Sequence, residues 1–176
     1  MRRAARSWPA ELSEYLADRP LAWWQAEKLA RGAQATVLAA QASEDGTWRA
    51  AAVGDSCLFH CRGDDVLGTF PVTSAAAFDS RPDLVVSTRV ELCRPRSVAG
   101  RFVRGDLLVL TTDALAAWAM HTVEMGHSPV ETFRALTAGP GNQALAAWVS
   151  AQRSTERSML RNDDITVVTV ELVTAR

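Results

Sequence analysis

Three apolar, strand-like runs in this chain each begin or end on aspartate, and this placement constrains the fold more than any other feature. Trp48 to Gly54 runs into Asp55. Gly105-Asp106-Leu107-Leu108-Val109-Leu110-Thr111-Thr112-Asp113 is an apolar run closed by a carboxylate. Arg161-Asn162-Asp163-Asp164-Ile165-Thr166-Val167-Val168-Thr169-Val170 is a β-branched run opened by two carboxylates. Such runs favour the pleated backbone, so Asp55, Asp113 and Asp163 fall at strand termini. Carboxylates gathered at strand ends form an oxygen-rich site for a hard divalent cation such as Mg²⁺ or Mn²⁺.

The hydrophobic period changes along the chain. Residues 10–31 carry Leu12, Leu16, Leu21, Trp24 and Leu29 at helical spacing, with Pro20 breaking the run and Gly32 ending it. Ala35 to Ala40 and Thr47 to Val53 then read as a hairpin about the turn Glu44-Asp45-Gly46. Cys57 to Cys61 and Val66 to Phe70 form a further meander. The stretch from Pro71 to Arg104 is less regular and holds only the short run Leu84-Val85-Val86. Asp106 to Thr112 is a fully apolar strand, followed by helices over 114–125, 129–137 and 142 to about 157, with Ser128 as a cap and Pro129 in the first turn of the second. A last strand covers 165–173. Strands first and helices between the late strands predict an α+β fold, an antiparallel sandwich flanked by helices.

The 176 residues, 48% of them hydrophobic, suffice for one core, so residues 1–176 are expected to form one domain. A formal net charge of −1 with scattered arginines argues against a nucleic-acid partner. No apolar stretch approaches the roughly 20 residues that span a bilayer, and Met1 to Arg6 leads into polar sequence rather than a signal-peptide core, so a cytoplasmic protein without membrane partner is expected. Cys57, Cys61 and Cys93 are odd in number and lack a paired spacing, which predicts core thiols rather than disulfides or zinc ligands.

Four segments in order, Ala33 to Leu38, Val53-Gly54-Asp55-Ser56-Cys57-Leu58-Phe59, Gly105 to Leu115, and Asn162-Asp163-Asp164-Ile165-Thr166-Val167-Val168, resemble successive motifs of the metal-dependent, type 2C Ser/Thr protein phosphatases. Residues 1–32 are then a helical lead-in, and 33–173 carry the recognisable motifs. The resemblance implies a β-sandwich with a binuclear Mg²⁺ or Mn²⁺ site at one end, where a metal-bound water attacks the phosphorus of a phosphoserine or phosphothreonine in a phosphoprotein substrate. Asp113 and Asp163 match acids on one catalytic metal. Asp55 matches the acid that helps hold an accessory metal in bacterial members.

Departures from the pattern shape the expectations. Ala114 stands where the family has glycine, which is tolerable if the backbone there keeps φ below zero. Asp164 stands where many members have asparagine. The family's early Asp-Gly, whose acid bridges the metals, has only Asp45-Gly46 as a counterpart, in a predicted turn about 25 Å from Asp55 at ~3.3 Å per residue. The family's phosphate-binding arginine has no clear match, Arg2, Arg3 and Arg6 being the candidates. The chain therefore resembles the C-terminal two-thirds of such a phosphatase, with an incomplete second metal site and little or no hydrolysis expected from it alone.

A different class remains open: a non-catalytic, phosphatase-like binding or regulatory module. The plainer readings of single residues are N-capping for Asp113, strand-end solvation for Asp163 and a tight turn for Asp55. His60, His121 and His127 share no ligand spacing and are expected to be structural or at the surface. The tryptophans are expected to pack in the core or between helices, with Trp23-Trp24 alternatively forming an exposed apolar patch.

Overall fold

Cys57-Leu58-Phe59-His60-Cys61 is buried at every position, because the strand that contains it is covered on both faces. Alternate side chains of a strand point to opposite sides. Cys57, Phe59 and Cys61 thus enter one core while Leu58 enters another. The computed structural model describes residue 14 and residues 21–78, 81–139, 141–155 and 158–173. Most of the expected helical lead-in lies outside these residues. Its described part is helix α1, Trp23–Arg31.

Among the described residues nine strands follow: β1 Gln34–Ala35, β2 Val37–Ala42, β3 Thr47–Val53, β4 Cys57–Arg62, β5 Asp65–Phe70, β6 Val85–Val86, β7 Arg96–Arg101, β8 Leu107–Thr111 and β9 Val167–Glu171. All pairings are antiparallel. One sheet has the order β2-β3-β7 and the other β5-β4-β8-β9, while β1 and β6 form a two-stranded ribbon. Helices α2 (Asp113–Glu124), α3 (Val130–Thr137) and α4 (Gln143–Arg153) lie between β8 and β9 in the chain.

The two sheets face each other across Trp48, Ala50 and Ala52 of β3, Leu58 of β4 and Leu108 of β8. On the other side of the larger sheet, Phe59, Leu107 and Val109 pack against Leu115 and Ala119 of α2 and Phe133 of α3. Seven consecutive residues of α2, Ala114 to Met120, are buried, which marks a helix enclosed by protein. The architecture is the α+β arrangement of antiparallel sheets and helices that the sequence pattern predicts.

Several elements depart from expectation. Strand β7 pairs with β3 in a stretch read as irregular, since Arg96-Ser97-Val98-Ala99-Gly100-Arg101 offers a single β-branched residue. Its Gly100 accommodates the Trp48 indole, where a Cβ would stand 2.7 Å from the ring. Helix α4 stops at Arg153, because Ser154 and Thr155 turn the chain and donate to carbonyls of the last helical turn. β9 is shorter than the run 165–173: it begins only at Val167, which leaves Asp163 and Asp164 in the preceding loop rather than opening the strand, and it ends where Leu172 bonds to Asp106. Trp23 and Trp24 do not join a core: they are 79% and 51% exposed on a helix with no buried residue.

Candidate metal centre

The pairing of β8 with β9 brings the two acidic motifs to one end of the sandwich. Thr111 is in register with Val167, so the residues just beyond each strand are neighbours. Both threonines then fasten the ends together. The Thr111 hydroxyl donates to the Thr166 carbonyl at 2.9 Å, and the Thr112 amide donates to the same carbonyl at 3.2 Å. The Thr112 hydroxyl donates to the Asp164 carbonyl at 3.1 Å and accepts from the Thr166 amide at 3.0 Å. Asp113 and Asp163 project from this clasp.

Asp55 arrives from the third strand. Gly54 has φ 97°, and a Cβ there would fall 2.5 Å from Thr36 Cγ2, so only glycine permits the turn that follows β3. Beyond it, the buried Ser56 hydroxyl is 3.0 Å from that of Thr36. The outcome is a cleft of about 470 Å³ lined by Thr36, Asp55, Ser56, Pro82, Thr112, Asp113, Arg161 and Asp163. All three sequence-predicted acids line it.

Asp113 is the first residue of α2, where the positive end of the helix dipole favours a carboxylate. No side-chain cap bond forms at this terminus, so hydrogen-bonded N-capping does not describe it. Ala114 follows inside the helix, and among the described residues no side chain other than glycine sits at positive φ, which meets the condition set for the family's glycine. Asp163 is exposed, and its Oδ1 accepts the Asp164 amide at 2.7 Å. Its main-chain carbonyl, with that of Arg161, is held by the Arg153 guanidinium of α4.

Asp45 is a turn residue. Its Oδ1 accepts from the Thr47 amide at 3.0 Å and the Thr47 hydroxyl at 2.5 Å, and the hydroxyl holds its carboxyl below the usual range. It does not line the cleft.

The donor chemistry suits a hard cation, and Mg²⁺ commonly takes one or two carboxylates, with waters and substrate phosphate completing its shell. The count is short of a closed site. Among the described residues, no three His, Cys, Asp or Glu side chains stand close enough together to hold one ion.

Two features were missed in the sequence. Arg161 lines the cleft, and the only signal was its position two residues before Asp163. At the opposite end of β8, Asp106 is fully buried. Its carboxylate accepts from Arg62 Nε and Nη2 at 2.8 and 2.9 Å, from His60 Nε2 at 2.8 Å and from the Val103 amide at 3.1 Å. Those donors, Arg62 foremost, hold the carboxyl far below the usual range despite burial.

The fold is that of a type 2C phosphatase. Residues covering 81% of this chain superpose on 65% of the photosystem II phosphatase PBCP, with a TM-score of 0.51 and 15% identity. The phosphatase domain of the cell fate determinant SpoIIE from Bacillus subtilis also matches, at 18% identity and TM-score 0.44 over 98% of this chain and 65% of that one. PppA, a regulatory component of T6SS in Pseudomonas aeruginosa, matches at 18% identity and TM-score 0.40 over 72% of this chain and 54% of that one. The chain thus spans somewhat less than two thirds of these structures. No family model matches the sequence, and no curated protein matches it. Among the described residues, no helix is long and apolar enough to cross a membrane.

Proposed function

We propose that this chain is a phosphatase domain acting on phosphoserine or phosphothreonine in cytoplasmic proteins, with Mg²⁺ or Mn²⁺ held by Asp113 and Asp163 and Asp55 further out. The observation that carries this reading is the meeting of Asp55, just beyond β3, Asp113, just beyond β8, and Asp163, in the loop before β9, in one cleft of a type 2C fold. When bound, a divalent cation supplies Lewis-acid neutralisation of phosphoryl charge and lowers the pKa of its water.

The chain's own residues prepare the place for that chemistry. Thr111 and Thr112 fix the spacing of the two acidic ends, the first turn of α2 carries Asp113, and Arg153 holds the turn that carries Asp163. Because no three His, Cys, Asp or Glu side chains among the described residues stand close enough to hold one ion, turnover by this chain is expected to be slow. Losing a fully positioned nucleophile typically costs several powers of ten in rate.

The same shortage favours a second reading, a phosphatase-like module that binds a phosphoprotein without hydrolysing it. Mn²⁺-dependent release of phosphate from a phosphothreonine peptide separates the two. Slow release abolished by Asp113→Asn supports the enzyme; saturable peptide binding with no release above that of Asp113→Asn supports the module.

A further inference from the structure

Arg161 is the sole cation among the described residues that line the acidic cleft. Its side chain is held from one side by Phe78: Nη2 donates to the Phe78 carbonyl at 3.3 Å, and Cζ lies 5.7 Å from the ring centroid. Its main chain is held from the other side, where Arg153 Nη2 donates to the Arg161 carbonyl at 3.1 Å. Three aspartates line the same cleft, yet among the described residues Arg161 joins no ion pair. An arginine serving only to neutralise those acids would lie against one of them.

A guanidinium carries five N–H donors in a planar fork, and the Phe78 carbonyl takes one. The remaining donors match phosphate oxygens in a two-pronged geometry that an ammonium cannot reproduce. Stacking on an aromatic ring limits the rotamers the side chain must lose on binding. Across the cleft, the N-terminus of α2 adds a weaker attraction for negative charge.

We propose that Arg161 receives a phosphomonoester dianion in this cleft and orients it over Asp113 and Asp163. The choice of ligand rests on the phosphatase reading, whereas the anion site itself rests on the Arg161 geometry. The earlier candidates Arg2, Arg3 and Arg6 lie outside the described residues.

Calorimetric titration of inorganic phosphate into the full chain, with and without millimolar Mg²⁺, tests the site. Wild type should bind phosphate saturably under at least one condition, and Arg161→Ala should weaken binding about tenfold or more under that condition, the usual cost of losing a charged hydrogen bond. Arg161→Lys keeps the charge without the fork and should recover only part of the loss; it also serves if the alanine variant folds poorly. Equal affinity for wild type and both variants, or no saturable binding by wild type under either condition, overturns the proposal. A parallel Mn²⁺ titration followed by electron paramagnetic resonance keeps the two readings apart: Arg161→Ala should bind Mn²⁺ as wild type does. Failure of wild type to bind Mn²⁺ would sink the metal reading while the phosphate ratio still decides the role of Arg161.

Discussion

The Thr112 hydroxyl donates to the Asp164 carbonyl at 3.1 Å while accepting the Thr166 amide at 3.0 Å, so one side chain bonds twice across the two acidic motifs, beside the Thr111 hydroxyl bond to the Thr166 carbonyl. Thr112 lies directly before Asp113, and Asp164 directly after Asp163. Whatever positions one carboxylate therefore positions the other.

Thr112→Val keeps the shape of the side chain and removes both bonds. Groups that orient metal ligands typically control affinity by 10- to 100-fold, so Mn²⁺ binding should weaken about tenfold with little change in melting temperature. Mn²⁺ titration of the two proteins, beside their thermal melts, checks this; unchanged affinity would show that the clasp does not govern the site.

Asp106 gives the fold a defined acid sensitivity. Its folded carboxyl is held far below its ordinary value of 3.8, chiefly by Arg62 and then by His60 and Val103. The resulting stability is fully present above that ordinary value and is lost as pH falls through the folded one. Asp106→Ala leaves His60 without its buried partner and should cost about 3 kcal/mol near neutrality. Urea unfolding from neutral pH down to pH 3 should show a steeper loss in wild type than in the variant, and parallel curves would remove Asp106 from the explanation.

The thiols should divide by burial. Cys57 and Cys61 are fully buried, and burial pushes both up to about 12, whereas Cys93 is half-buried. At pH 8 an aromatic disulfide reagent should titrate Cys93 alone in the native chain and all three thiols in denaturant. Rapid reaction of all three without denaturant would contradict the core placement.

Legibility in the sequence followed the strength of local signals. β3, β4 and β8 are dense in apolar residues, so their existence and the aspartates at their ends could be read directly. The turn at Asp45-Gly46 was equally plain, since its side-chain bonds to Thr47 are local. β7 was hidden because its fit depends on tertiary packing: Gly100 is in register with Trp48 and lies against its indole. Asp106 escaped notice for a similar reason. Its partners His60 and Arg62 come from β4, which the chain brings alongside β8 only in the folded sheet. The exposure of Trp23 and Trp24 matches the exposed-patch alternative rather than core packing, because α1 has no buried residue.

The site was legible as a set of acids and illegible as a geometry. Sequence placed Asp55, Asp113 and Asp163 at strand ends, and the fold gathers them in one cleft. How many of them share one ion depends on side-chain separation, which no spacing in the sequence encodes.

Binding of Mn²⁺ to the full chain and to Asp113→Asn, followed by electron paramagnetic resonance, tests the metal reading of this cleft most directly. Wild type should take up Mn²⁺ saturably, Asp113→Asn should lose at least tenfold in affinity, and bound metal should raise the melting temperature of wild type alone by mass action. Absence of saturable uptake by wild type, or equal affinity in the two proteins, would contradict a metal centre at Asp113.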